Sequence, residues 1–336
     1  MKIGVIGLGK VGGLISLYLS RKHEVVGVDK NDDYNTLKDV SALFVAVPTP
    51  FNSYLNTLDT SIVKEVISLF LNVNKKAFIF IKSTMPVGAT RKIKEELKYE
   101  RIFYTPEFIR NYDNVDSLDD IDRSIIGLDE DDVASDVYFS LFQGSRVNLT
   151  MSLEEAEAVK LFSNAYLAYR INFFNEISEF SNANNLISEN IIEGVSLDSR
   201  IGNHYNKPSF GYAGKCLPKD VKALAALCKD IPTDVINKID EVNELRIESY
   251  YQEIMKYVAK GEHPVVGFNN YVDSNNALLL LIEKLRKNNI QMVMYIEPNS
   301  TVEDTYGIEV INNLKTFYQI ANVVVDLDVV QILGKQ

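Results

Sequence analysis

Cys216 and Cys228 are the only cysteines among the 336 residues, which excludes a disulfide framework and fits a reducing compartment. Histidine is almost as sparse. His23, His204 and His263 are scattered without metal-ligand spacing, so no metal site is expected. No apolar run approaches the roughly 20 residues of a membrane-spanning helix. The N-terminal MKIGVIGLGKVGG lacks the cleavage site of a secretory leader, and its glycines suit a turn. Basic residues number 35 against 46 acidic ones, for a net charge of −11. That balance argues against nucleic acid or an anionic membrane as the main partner, while leaving a small anionic ligand open. The expectation is a soluble, cytoplasmic protein of more than one domain, because 336 residues exceed one small core.

Hydrophobic periodicity organises the chain. KIGVI (2–6) reads as a buried strand, GLGKVGG as a turn, LISLYLS as a helix and HEVVGVD as a second strand. This is a βαβ unit of about 30 residues. SALFVAVPTP (41–50) reads as a strand ending in a proline turn, KAFIFIKST (76–84) as a strand and RIFYTPEF (101–108) as a strand with a loop, with helices at 60–72 and over GATRKIKEELK between them. Such alternation predicts a doubly wound parallel sheet. The pattern then changes. Residues 152–185 contain neither proline nor glycine and carry Ala, Leu, Phe and Tyr at helical spacing. One long helix is expected there, with Ser152 as N-cap and Glu155 completing a capping box. From 263 onward, strand and helix patterns alternate again. The expected division is a Rossmann-type doubly wound domain at 1–150, a central helical domain at 151–260 and a smaller α/β domain at 261–336.

The first of these carries a ligand signature. Gly7-Leu8-Gly9-Lys10-Val11-Gly12 fits G-x-G-x-x-G, follows a strand, opens a helix, and precedes Asp29 at the end of the second strand. Gly7 makes the turn, Gly9 admits the pyrophosphate and Gly12 packs helix on strand, with the helix N-terminus facing the phosphate charge. Asp29 would accept hydrogen bonds from ribose hydroxyls and repel a 2′-phosphate, favouring NAD over NADP. Cys216 is less clear-cut. It lies in SFGYAGKCLPKD (209–220) beside Lys215, Lys219 and Asp220, either as a turn holding an inert sulfur or as a nucleophile in its pocket. Cys228, in ALAALCKD, is the better core cysteine. Lys160 and Asn164 stand four apart and share a helix face. Thr84 and Glu107 fall at C-terminal strand ends, where open α/β sheets bind ligands.

The ordered set GVIGLGKVG, VAVPTP, KSTMPVG, YTPEFIR, EAEAVKLFSNAYLAYRINFFNE, SRIGNHYNKPSFGYAGKCLPKD and VNELR resembles the UDP-glucose/GDP-mannose dehydrogenases. Within that family the segment around Cys216 is most similar to the bacterial UDP-glucose 6-dehydrogenases. The resemblance implies an NAD-dependent four-electron oxidation of UDP-glucose to UDP-glucuronate. UDP-N-acetylmannosamine or GDP-mannose are the alternative substrates, and an NAD-binding relative with little turnover is the alternative role. It implies Cys216 as the nucleophile, Lys160, Asn164 and Asp220 as its polar set, and Thr84 and Glu107 as partners of the hydrolytic water. Val11, Pro48, Thr49, Thr84 and Lys219 join the glycines and Asp29 at the cofactor. Glu107, Phe108, Ile109, Arg110, Lys160, Asn164, Tyr205 and the loop Phe210-Gly211-Tyr212-Ala213-Gly214 are placed along the substrate. Arg200 is placed to reach the substrate of a neighbouring subunit in a homodimer. Fifteen residues separate Asp29 from Val45, fewer than the family usually has, so a trimmed first domain is expected. The lysine and arginine that the family offers the nucleotide after the first strand of its C-terminal domain are missing from VVGFNNYVDSNNALLLLIE, so a shortened C-terminal domain is expected too.

Overall fold

Strand residues alternate between two apolar surfaces, and that alternation builds the first layer of the protein. A computed structural model describes residues 1–109, 114–129, 132–258, 265–269, 277–296, 307–321, 323–326 and 329–332. The chain divides into two units, Met1–Ser163 with Lys222–Leu227, and Asn164–Val221 with Cys228–Gln336.

The first unit is built on β1 (Lys2–Ile6), α1 (Lys10–Ser20), β2 (Glu24–Val28), β3 (Ala42–Val45), the short pair β4 (Phe51–Asn52) and β5 (Thr57–Leu58), and α2 (Ser61–Leu71). β6 (Phe78–Ile81), α3 (Ala89–Leu97), β7 (Ile102–Tyr104), β8 (Ser124–Gly127), α4 (Asp132–Leu141) and β9 (Asn148–Met151) follow, and then the start of α5 (Leu153–Ala183). Seven strands form one sheet in the order β2-β1-β3-β6-β7-β8-β9. All neighbours are parallel except β7 and β8. Leu43, Val45, Ile79, Ile81, Ile102 and Tyr104 face a core completed by Val63, Ile67 and Phe70 of α2 and Ile93 of α3. Their neighbours Ala42, Phe44, Phe80 and Phe103 face the opposite core with Ile15 and Leu19 of α1 and Tyr138 and Leu141 of α4. A strand buried on both faces needs an apolar side chain at every position, and each fully buried one contributes about 1.5–3 kcal/mol.

The third strand ends in a proline turn, as the sequence indicates, and its ladder stops at Val45. Pro48 and Pro50 have no N–H to continue it, and the chain turns into the β4–β5 hairpin. Between β2 and β3 lies a single 3₁₀ turn, Tyr34–Leu37, so β2 is the edge of the sheet. This is the structural counterpart of the short interval after Asp29. The apolar run SIIG forms β8, which pairs with strands on both sides.

In the second unit α5 continues to Ala183 and is followed by α6 (Ser188–Ser196), α7 (Leu217–Leu227) and α8 (Asp234–Val258). β10 (Val266–Asn269), α9 (Leu278–Lys287), β11 (Met292–Tyr295), β12 (Glu309–Ile311), α10 (Leu314–Ile320), β13 (Val323–Asp326) and β14 (Val329–Ile332) complete it. The strand order is β12-β11-β10-β13-β14, with β14 antiparallel at the edge. Phe268, Met294, Val323 and Val325 face α8 and α9, while Val293, Tyr295 and Val324 face Phe317 of α10. The capping box at the start of α5 is formed as the sequence indicates. Ser152 Oγ accepts the Glu155 N–H at 3.3 Å, and Glu155 Oε2 accepts the Ser152 N–H at 2.9 Å.

Candidate active site

β1 ends at Ile6, and Gly7 then turns the chain at φ 87°, a left-handed conformation that favours glycine. The Gly7 N–H donates to Val28 O at 2.9 Å. Gly9 caps α1 without any side chain, and a Cβ built there meets no atom within 4 Å. At Gly12 a Cβ would lie 1.8 Å from Gly7 O, so helix and turn touch through bare backbone. Asp29 ties the end of β2 to this loop, its carboxylate accepting the Leu8 N–H at 2.9 Å and the Lys30 N–H at 2.7 Å. The Leu8 amide is the main cause holding that carboxyl below its usual range. An open glycine at a helix N-terminus, a close-packed third glycine and an exposed carboxylate beyond the second strand suit the pyrophosphate and ribose of a dinucleotide. Val11 is half-buried, Pro48 is exposed and Thr49 is buried past the end of β3.

Two neighbouring strand ends of the same unit, those of β6 and β7, hold polar groups. Thr84 is half-buried in the loop after β6. Glu107 is 6% exposed after β7, and its Oε1 accepts the Ile109 N–H. Lys160 of α5 donates to Glu107 O, and its ammonium stands 5.4 Å from the centre of the Phe108 ring. The Arg123 guanidinium lies 4.0 Å from the centre of that ring and donates to Ser163 Oγ at 3.2 Å. Arg110 falls outside the described residues. Two cations stacked against its ring hold Phe108, which the family resemblance places along the substrate. Glu157, fully buried, accepts the Gly88 N–H at 2.6 Å and the Thr90 N–H at 2.8 Å. It thereby caps α3, whose own N-cap is the glycine Gly88.

Behind Glu107 stands Lys82, which the sequence reading does not single out. It is 7% exposed and donates to Tyr138 OH at 2.7 Å. Burial pulls its ammonium down to about 8, with Lys160 acting in the same direction and Glu107 opposing. Burial likewise pushes the Tyr138 phenol up. The available signal is a lysine interrupting the apolar alternation of FIFIKST.

In the second unit the residues around Cys216 come together. Cys216 is exposed, and Cys228 is buried. The Cys216 carbonyl accepts the Asp220 N–H at 3.2 Å, which puts the thiol residue at the N-terminal end of α7. Asp220 is fully buried, and its carboxylate takes Asn164 Nδ2 at 2.5 Å on one oxygen and Lys219 Nζ at 2.6 Å on the other.

The loop leading to Cys216 is held by α8. Asn243 accepts the Tyr212 N–H at 2.8 Å and donates to Tyr212 O at 3.0 Å. Arg246 donates to Ser209 O at 2.6 Å, Glu179 Oε1 at 2.6 Å and Tyr250 OH at 2.9 Å. Phe210 packs on Tyr250 with ring centres 4.9 Å apart. Gly211 sits at φ 122°, and a Cβ there would come within 2.3 Å of Asn243 Oδ1. Arg170 donates to Ile201 O, Gly202 O and His204 O, fixing the turn between Arg200 and Tyr205. Tyr205 is exposed, and Arg200 is exposed and bonded to Asp198 at 2.6 Å. Asn243 and Arg246 of VNELR and Arg170 of the long-helix segment lie in the matched segments, but the backbone they hold is far away in sequence, so their role is not legible there.

Among the described residues no helix is long and apolar enough to cross a membrane. The model of the UDP-glucose/GDP-mannose dehydrogenase family's NAD binding domain matches residues 30–144, and that of its central domain matches residues 154–245. The chain is 32% identical to a UDP-glucose 6-dehydrogenase of Campylobacter jejuni, with 94% of this chain and 92% of that one covered. It is also 32% identical to a UDP-glucose 6-dehydrogenase of Streptococcus pneumoniae, covering 97% and 94%. In fold it is similar to a UDP-glucose dehydrogenase from Pyrobaculum islandicum, with a TM-score of 0.83 at 20% identity over 97% of this chain and 89% of that one.

Proposed function

The chain belongs to the UDP-glucose/GDP-mannose dehydrogenase family, and on that premise we propose that it oxidises UDP-glucose to UDP-glucuronate in two steps through Cys216. NAD-dependent oxidoreductase activity comes with the family. The observation that supports the finer reading is the exposed Cys216 at the start of α7, one turn before the buried Asp220 clamped by Asn164 and Lys219.

Loss of a proton from the C6 hydroxyl and of a hydride from C6 leaves an aldehyde. The Cys216 sulfur adds to its carbon. A C–S bond forms, the thiol proton leaves, and the carbonyl oxygen becomes the hydroxyl of a thiohemiacetal. This carbon still carries one hydrogen; its loss as a second hydride, with loss of the hydroxyl proton, gives a thioester. Water adds to the thioester, the C–S bond breaks, and carboxylate and thiol are released. NAD, when bound, accepts the hydride of each oxidation.

In this reading the Lys160 ammonium and the Asn164 amide stabilise the oxyanions. Asp220 handles protons through a water, and Thr84 and Glu107 support the hydrolytic water. Phe108, Ile109, Arg110, Tyr205 and the 210–214 loop hold the nucleotide sugar, and Lys219 stands on the cofactor side. A homodimer is part of the proposal. Tyr166, Tyr169, Phe173 and Phe180 of α5 stand three, four and seven residues apart, on one helix face, and are 57%, 39%, 42% and 60% exposed. That stripe is suited to a second copy, to which Arg200 would contribute.

The test is the NADH yield per UDP-glucose consumed, with NAD in excess. A ratio of two is expected; a ratio of one means release at the aldehyde and removes the thioester. Cys216→Ser should form no carboxylate, and initial rates on UDP-N-acetylmannosamine and GDP-mannose should fall below that on UDP-glucose.

A further inference from the structure

Lys82 has a role in neither the glycine loop nor the cysteine chemistry, yet an ammonium that is 7% exposed at the end of β6 is costly to bury. An ammonium carries three donors. One goes to Tyr138 OH at 2.7 Å, and the faces of Tyr138 and Phe142 lie 4.8 and 4.9 Å from Nζ. Among the described residues no carboxylate lies within ion-pair distance of it. A small cavity of about 20 Å³ adjoins it, lined among others by Lys82, Glu107, Arg123, Ser124 and Tyr138. That volume suits one water, provided two to four polar partners surround it. Ser124, 3% exposed, lines this cavity; its Oγ lies beside the Tyr138 hydroxyl but makes no hydrogen bond of ordinary geometry.

We propose that this cavity holds a single structural water linking the Lys82 ammonium to the Glu107 carboxylate, with Ser124 Oγ as a third partner, so that Lys82 positions Glu107. The reaction role rests on the reading of Glu107 given above; the link itself does not. It satisfies a second Lys82 donor and the Ser124 hydroxyl together. It also gives the 6% exposed Glu107 an opposite charge across one water. The charged and titratable groups facing Lys82 are Tyr138 from α4, Glu107 from the end of β7, Lys160 from α5 and Arg123 from the segment before β8. Glu107 is the carboxylate of that set. The coupling is reciprocal, so it is readable at Lys82.

The experiment follows the Lys82 side chain by NMR in full-length protein labelled at lysine Cε, with its resonance assigned by its absence in Lys82→Arg. An inflection near 8 is expected, moving to lower pH by about one unit in Glu107→Gln. Ser124→Val, which fills the cavity, should move it in the same direction by less. A Lys82 titration unmoved by Glu107→Gln overturns the proposal. Because both substitutions leave Lys82 in place, the test does not depend on a lysine variant folding well. In turnover, kcat should fall as pH rises through 8, and Lys82→Arg, which keeps its charge, should lack that fall. Absence of turnover on any nucleotide sugar would remove the reaction role of Glu107 and leave the NMR result to decide the link.

Discussion

Paired alanine substitutions in the glycine loop separate packing from ligand approach. At Gly12 a Cβ would sit 1.8 Å from Gly7 O, a backbone atom that cannot swing away. Restoring ordinary contact requires α1 and the turn to part by roughly 1.5 Å, an overpacking that costs about 1–3 kcal/mol. For a unit of this size the loss lowers Tm by roughly 2–12 °C, and the displaced loop should bind NAD poorly. Gly9 differs. No atom lies within 4 Å of its Cβ position, and its φ of −67° suits any residue. Losing the glycine N-cap costs about 0.5–1 kcal/mol, while a stiffer unfolded chain returns about 0.4–1 kcal/mol. Gly9→Ala should therefore keep its Tm within about 2 °C of wild type. Its methyl nonetheless stands where the pyrophosphate approaches, so NAD should bind at least about tenfold more weakly, or about 1.4 kcal/mol. Thermal unfolding by circular dichroism and NAD titration by calorimetry read the two effects. Wild-type affinity in Gly9→Ala, or wild-type stability in Gly12→Ala, would refute the assignment of the loop.

Three further outcomes can be checked. The folded Lys82 ammonium ionises near 8 rather than 10.5, so between those values the unfolded chain binds the extra proton. Stability of wild type relative to Lys82→Met should then rise by a few kcal/mol from about pH 8 to about 10.5, and urea unfolding showing a fall instead would contradict the burial. Asn243→Ala leaves the buried Tyr212 N–H and C=O without partners. It should cost about 2–4 kcal/mol and speed amide exchange over 210–214, while unchanged exchange there would mean that α8 does not hold the loop. Phe173→Glu, on a 42% exposed position, should leave unfolding of the chain nearly unchanged and lower the mass seen by light scattering. A monomeric wild type at micromolar concentration would reject the dimer outright.

Features whose cause lies within a few residues were legible in the sequence. The capping box closes over three residues, Ser152 to Glu155, and the glycine loop is a run of six that follows a strand and opens a helix. The alternation of Phe78 to Ile81 is read off one strand and reappears as two separate cores. So are the helix that carries Lys160 and Asn164 and the exposed loop cysteine as distinct from the buried one.

Where the cause lies at a distance, the tertiary structure decided. β8 exists as a strand because β7 and β9 flank it. The Asp220 clamp joins residues 56 apart, as does the bond from Lys82 to Tyr138. Asn243 reaches back to Tyr212, and Glu157 caps a helix far before it in the chain. A side chain's type and its neighbours in sequence set its local conformation. Whether its charge is buried, and which backbone group completes its hydrogen bonds, depends on what the fold brings against it.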